Sequence, residues 1–314
     1  MKWMLAILPA LPSVALADAW YHEWKENTIT MAQGLYDNWR HEMPESGFMP
    51  SFLSFEFTSN MGERHGGSEM SWQQYGINLP LADPRRSGGE DWMFNASFNA
   101  QVTVINTSGN LRLRRNDLYS FSIPIAAIIP QDGGDRIVLA VSPAMSSDFV
   151  HRAHSFHVNF LASYHVKYSD SFSYTIGLAH SPDATVWALV PVVNFDWKMN
   201  EDWRLSLSGF KATVLRNMGA GVDAGFFVQG SGGAWAVDQP QGTRMLRVRS
   251  LVAGAMAEYD FSRPGETRRI VSLSVGTTLA TTADVCRYNS DLDEEERHHY
   301  HPGLYVSGAV DFRF

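Results

Sequence analysis

Leu304-Tyr-Val-Ser-Gly-Ala-Val-Asp-Phe-Arg-Phe314 stops on an aromatic residue in the middle of a polarity alternation. Leu304, Val306, Val310, Phe312 and Phe314 fall on one side of an extended strand. Tyr305, Ser307, Asp311 and Arg313 fall on the other, because successive side chains point to opposite faces. A soluble protein has little reason to break off in mid-strand on a residue of this type. A strand that closes a barrel against its first stave does, and that sets the expectation for the rest of the chain.

Working outward, the period of two recurs from Phe48 onward. Leu53, Phe55 and Phe57 alternate with Ser54, Glu56 and Thr58. Tyr75 to Leu81 does the same, and Trp92 to Val104 puts seven apolar residues on one face. Further runs fall at Tyr119–Ile125, Ile137–Val141, Phe156–Tyr168, Phe172–Leu178, Trp187–Met199, Trp203–Leu207, Val222–Val228, Leu251–Phe261 and Val271–Leu279. Many have the reach of about 9–13 residues that a tilted strand needs to cross a hydrocarbon layer. The second face of Phe156–Tyr168 carries His157, Asn159, Ser163, His165 and Lys167, which do not belong in a dry sandwich core. A large antiparallel sandwich also alternates, but with strands of about 5–6 residues.

Composition agrees. Hydrophobic residues make up 45% of the 314, while the mean hydropathy is only −0.19, as alternation of lipid-facing and lumen-facing residues produces. The single cysteine, Cys286, rules out an intramolecular disulfide framework. A net charge of −8 spread along the chain excludes nucleic acid as a partner, since binding phosphates needs a basic patch. At the other end, Lys2, the apolar Trp3–Leu8 and Ala15-Leu16-Ala17 before Asp18 form the pattern of a secretory signal peptide. Cleavage is expected after Ala17, with Ala19 as the second site. Pro9 and Pro12 oppose a buried N-terminal helix, and no cysteine follows for a lipid anchor.

The chain therefore divides into a signal peptide (1–17), an N-terminal periplasmic or plug segment (18–47) and a barrel (48–314). In the second part Trp20, Tyr21, Trp24, Met31, Leu35, Tyr36 and Trp39 follow no strand period. The expected fold is all-β, an antiparallel up-and-down transmembrane barrel of about 12 staves, within about 10 to 14. Counting back from Phe314 at the periplasmic end, Pro143–Arg152, Gly230–Thr243 and Asp284–His301 become long outer loops. Ser169–Ser171, Asn200–Asp202 and Ser262–Thr267 become short periplasmic turns. Keeping the alternation requires two short strands between Trp203 and Gly230, one of them about Ala212–Leu215. Ala82–Glu90 is long for the periplasmic connection this count makes of it.

The last ten residues resemble the C-terminal sorting signal of Gram-negative outer-membrane barrels. Phe314 and Phe312 hold its aromatic places and Val310 and Val306 the next apolar ones; Gly308 is smaller than usual there. The stretch Tyr174-Thr-Ile-Gly-Leu-Ala-His-Ser-Pro-Asp183, with Leu189–Trp197 and Asn200-Glu-Asp-Trp203, is similar to the central part of an uncharacterised single-domain barrel family. The resemblance implies outer-membrane location, lipid and lipopolysaccharide as surroundings, and the barrel-assembly machinery as a partner of the last strand. It implies no activity.

The rest of the chain offers few candidates for chemistry. His180-Ser181 and His154-Ser155 are adjacent pairs that a strand splits between faces, and no Gly-x-Ser-x-Gly elbow occurs. His298, His299 and His301 lie near Asp291, Asp293 and Glu294–Glu296 without a fixed metal-ligand spacing, and His151, His154 and His157 are weaker still. Gly219-Ala-Gly221-Val-Asp-Ala224 matches a dinucleotide fingerprint in letters but reads better as a strand turn. No catalytic residue, metal or cofactor is assigned. The expected lumen carries Glu56, His157, His165, Lys167, Asp196, Lys198, Arg204, Arg247 and Arg249, with Arg112, Arg114 and Arg115 as a basic stripe near one rim. Both signs of charge in a narrow barrel either cross-link the wall or line a polar path. The expectation is a narrow channel or passive transporter for small polar solutes, not an enzyme. A structural or adhesion barrel acting through its outer loops, and a lipid-modifying enzyme, are the alternatives, and the oligomeric state is open.

Overall fold

The computed structural model describes residues 51–86, 92–109, 111, 113–150, 155–180, 189–239, 242–262, 269–287 and 296–312. Its strands are β1 (Ser51–Thr58), β2 (Met61–Gly62), β3 (Glu69–Arg86), β4 (Met93–Ser108), β5 (Asp117–Ser122) and β6 (Ile125–Pro130). They continue as β7 (Arg136–Ser147), β8 (Phe156–Ser169), β9 (Phe172–His180), β10 (Leu189–Lys198), β11 (Trp203–Ser208) and β12 (Lys211–Gly219). The last are β13 (Val222–Gln239), β14 (Gly242–Asp260), β15 (Arg269–Arg287), β16 (Glu296–Tyr300) and β17 (Leu304–Phe312). Three staves are each broken once: β1 with β2, β5 with β6 and β16 with β17. The break in the second falls at Ile123-Pro124, where proline removes a ladder donor. The result is 14 staves, more than the expected 12 or so.

β1 pairs antiparallel with β17 from Ser51↔Phe312 to Thr58↔Tyr305, so the sheet closes on itself. Both ends of the described chain lie at one rim, called here the lower end. Alternation sorts the side chains. Phe55, Phe94, Phe160, Leu178, Phe226 and Leu273 stand exposed on the outer face, a continuous apolar surface of the kind that faces hydrocarbon. Asn95, Ser97, Asn99 and Thr103 of β4 point inward. Gly308 sits on the outer face because a Cβ there would meet the Phe55 ring of β1 at 2.6 Å. The aromatic lies over the glycine and fills the place of the missing side chain.

The short turns Asp170-Ser171 and Asn200–Asp202 lie at the lower end, and Gly219-Ala220-Gly221 forms the β12–β13 turn beside them. Ser262 enters the lower connection, of which 263–268 lie outside the described residues. β12 is the short strand expected about Ala212–Leu215. The upper end differs from expectation. Pro143–Ser147 belongs to β7, Asp284–Arg287 to β15 and Glu296–Tyr300 to β16. Gly230–Thr243 is not a loop: β13 and β14 pair through it as far as Gln239↔Gly242. β3 likewise runs on to Arg86, into the Ala82–Glu90 connection. These strands outrun their apolar alternation, so period alone ends them too early.

Candidate functional site

The upper half of the lumen is filled by the chain's own wall. β11 and β12 form a short hairpin that turns back at Gly209-Phe210. Lys211 pairs with Gln229 of β13, and the Gly230 amide donates to the Phe210 carbonyl at 3.1 Å. Above that level β13 leaves its place in the wall through Gly230-Ser231-Gly232-Gly233. Gly232 has φ 129°, and a Cβ on it would lie 2.0 Å from the Val248 carbonyl oxygen, so only glycine fits the bend. β13 then crosses to the far wall. Ala236 pairs in parallel with Ser147 of β7, and the Asp148 amide donates to the Ala236 carbonyl at 3.1 Å. Trp235 Nε1 donates to Ser120 Oγ of β5 at 3.1 Å, and Arg114 pairs with Asp238.

Trp235, Val237, Leu246 and Val248 of this inward hairpin form one core with Met61, Met70, Trp72, Ile105 and Leu118 from the facing wall. In β15, Leu279 is an extra residue opposite Leu251-Val252, and beyond this bulge Ala283 and Val285 join the same core. Full burial of each large side chain is worth about 1.5–3 kcal/mol. Together they hold the hairpin inside against the conformational cost of ordering it.

Below the hairpin lies a polar chamber of about 1250 Å³ reaching the lower end. Its strands carry charge in two arcs. β7, β8, β11 and β12 contribute Arg136, Lys167, Arg204 and Lys211, while β10 contributes Asp196 and Lys198. β13, β14, β17 and β1 contribute only carboxylates: Asp223, Glu258, Asp311 and Glu56. Asp223 and Glu258 are direct cross-strand partners, an arrangement that like charges disfavour. In the opposite arc Arg204 Nε donates to both Asp196 oxygens, at 3.1 and 2.9 Å. Glu56 forms the ceiling. Its carboxylate accepts from Trp72 Nε1 at 3.2 Å, from the Tyr305 hydroxyl at 2.9 Å, and from Ser231 Oγ at the bend of β13. One side chain thus ties the closing stave, the facing wall and the inward hairpin together.

Of the residues expected in the lumen, Glu56, His165, Lys167, Asp196, Lys198 and Arg204 line this chamber. His157 is on the same face of β8, higher and half-buried. Arg247 and Arg249 are elsewhere. They are buried in the upper half, on the face of β14 opposite Leu246 and Val248, where Arg249 Nη1 lies 3.1 Å from Asp284 Oδ2. Arg297 Nε reaches the other oxygen of Asp284 at 3.2 Å. Val306 and Val310 face outward on β17, and Phe312 pairs with Ser51. Phe314 lies outside the described residues, as does Arg112; Arg115 is exposed.

His180 faces outward and stacks on Phe160 at 6.4 Å; Ser181 and His154 are outside the described residues. His298 Nδ1 hydrogen-bonds Glu63 Oε1 at 2.8 Å, while Asp291, Asp293 and Glu294 are outside the described residues. Sequence reasoning missed Trp72, Tyr305, Ser231 and Trp235. The available signal was an aromatic residue on the polar face of a strand, as at Tyr305 and Trp72, where its polar atom needs a partner inside.

No protein-family model matches the chain, and no curated protein matches it. Among solved structures it is similar to an outer-membrane channel from Pseudomonas putida F1, at 10% identity over 84% of this chain and 96% of that one, TM-score 0.40. It is also similar to the toluene transporter TodX from Pseudomonas putida, at 9% identity over 84% and 89%, TM-score 0.32. A third is OccK5 from Pseudomonas aeruginosa, at 10% over 83% and 97%, TM-score 0.27. Identities and TM-scores this low transfer no property. The resemblance of Tyr174–Trp203 to an uncharacterised barrel family rests on those motifs alone.

Proposed function

We propose that the protein is an outer-membrane barrel acting as a narrow, gated channel for small polar solutes. The lower end faces the periplasm, and the apolar outer face meets lipid and, in the outer leaflet, lipopolysaccharide. In this reading the last strand is the part offered to the assembly machinery. One observation carries the functional part: a chamber lined by charges of both signs stands open at the lower end, stoppered above by a hairpin of the same chain. A purely structural barrel has no need of an open chamber lined with charge, whereas a path for polar solutes uses one. The inward hairpin is the constriction, and resting conductance is expected to be small.

Planar bilayers test this. Wild-type protein should give rare, small steps. A variant with residues 232–248 replaced by a short turn should give frequent, larger ones. A folded hairpin-deleted barrel, identified by heat-modifiable gel migration, that stays silent would sink the proposal.

A further inference from the structure

The chamber holds two like-charge pairs of opposite sign. On β10 and β11, Lys198 stands directly across from Arg204. On β13 and β14, Asp223 stands directly across from Glu258. All four side chains line the lumen. Like charges set opposite one another weaken a sheet, so neither pair is there for the fold. Their surroundings differ. Arg204 holds the Asp196 carboxylate, so the first group has two cations against one anion, a net charge of +1. The second group keeps both of its charges. Its neighbours on the next staves are Asn217 and Ser272, which bring none. The side chains of Asp223, Glu258 and Lys198 make no hydrogen bond or ion pair among the described residues.

The register fixes how far apart the two groups stand. Arg204 is level with Leu215 and Leu215 with Gly225, which is two residues along β13 from Asp223. Two stave spacings of about 4.8 Å and two residues of about 3.4 Å place the Arg204 and Asp223 Cα atoms about 12 Å apart. Side chains reaching inward from both groups leave between them a gap the size of a small solute. We propose that this part of the chamber is a binding site for small zwitterions. The solute carboxylate sits between Lys198 and Arg204, and its ammonium between Asp223 and Glu258. A dipolar solute relieves both like-charge pairs at once, through charge-assisted hydrogen bonds at each end. An anion or a cation alone relieves one pair and is repelled by the other group. The chamber, at about 1250 Å³, has room for such a solute with water around it, so binding is weak enough for release. As a transport preference the inference rests on the channel reading; as a binding site it stands without it.

Saturation-transfer NMR on the folded full chain in detergent micelles reads binding without any need for conduction. β-Alanine should bind about fivefold or more tightly than butyrate, which lacks the ammonium, and than propylamine, which lacks the carboxylate. Asp223→Asn combined with Glu258→Gln should abolish the preference over butyrate. Lys198→Gln should reduce the preference over propylamine. The doubly substituted barrel should unfold at no lower urea than the wild type, since a like-charge pair has gone, and this separates lost binding from lost fold. Equal binding of the three solutes overturns the proposal. Propylamine binding as tightly as β-alanine overturns it too, and reduces the site to a cation trap on two carboxylates. So does a zwitterion preference that survives the Asp223 and Glu258 substitutions. A hairpin-deleted barrel that prefers β-alanine but stays silent in planar bilayers overturns the channel and leaves the site standing; one that conducts without the preference does the reverse.

Discussion

Replacing Trp235 by alanine probes whether the inward hairpin is packed into the barrel or merely rests in it. Trp235 is 2% exposed, belongs to the upper core and donates to Ser120 Oγ at 3.1 Å. Truncating a fully buried tryptophan costs about 3–5 kcal/mol through lost transfer energy and the cavity left behind. About 1 kcal/mol of that is the hydrogen bond, whose loss also leaves the Ser120 hydroxyl without its donor. A value near 4 kcal/mol is roughly three orders of magnitude in the folding equilibrium. Trp235→Phe separates the parts: it keeps most of the apolar volume and loses the donor, for about 1–2 kcal/mol. Lys198→Ala, an exposed chamber residue, is the control and should stay within about 0.5 kcal/mol. The assay is urea unfolding in phosphatidylcholine vesicles, followed by loss of the fast-migrating folded band. A Trp235→Ala shift no larger than that of Lys198→Ala would refute the packed hairpin, and with it the account of the closed upper half.

Other consequences are open to the same assay. Glu56→Gln puts an amide donor among the donors of Trp72, Tyr305 and Ser231, and should cost about 1–3 kcal/mol; combined with Ser231→Ala the loss should fall short of the sum, because the two share a contact. Gly308→Val should destabilise by about 1–3 kcal/mol through overlap with Phe55, and Phe55→Ala in the same chain should recover part of the loss. Burial opposes ionisation of Glu63 in the β2–β3 connection, but hydrogen bonds from His298 and Ser68, with the charge on His298, outweigh it and hold the carboxyl below its ordinary 4.5. Ionised Glu63 then stabilises the fold fully above pH 4.5, and that contribution fades as pH falls through the lower folded value. Glu63→Gln should flatten this acid limb in unfolding midpoints taken between about pH 6 and 3; an unchanged limb would assign it to other carboxylates.

The lower half of the barrel was largely legible in the sequence. Alternation at Trp92–Val104 and Phe156–Tyr168 assigned faces correctly, because the outer face is apolar and the inner face largely polar. The turns at Asp170-Ser171 and Asn200–Asp202 announced themselves by brevity and polarity. The stave count came out low, although the runs at Trp203–Leu207 and about Ala212–Leu215 did register β11 and β12. The upper half was not legible. Gly230-Ser231-Gly232-Gly233 has the composition of a loop, yet its glycines bend a strand that goes on pairing to Gln239. Nothing local tells Arg247 and Arg249 from chamber charges, since their burial beside Asp284 is set by where the hairpin leans. The Glu56 ceiling joins residues up to 249 positions apart, beyond the range of any local pattern.

The pairing of Ala236 with Ser147 also orders events in time. These residues stand on staves six positions apart in a ring of 14, so they meet only after the sheet has curled. The seam between β1 and β17 can zip strand against strand, but the cross-lumen junction needs a finished or nearly finished cylinder to cross. A barrel caught between the two steps is round, inserted and hollow. Leakage should therefore rise and then fall while the protein assembles into dye-loaded vesicles, and Gly232→Val, which blocks the bend, should hold it at the leaky stage.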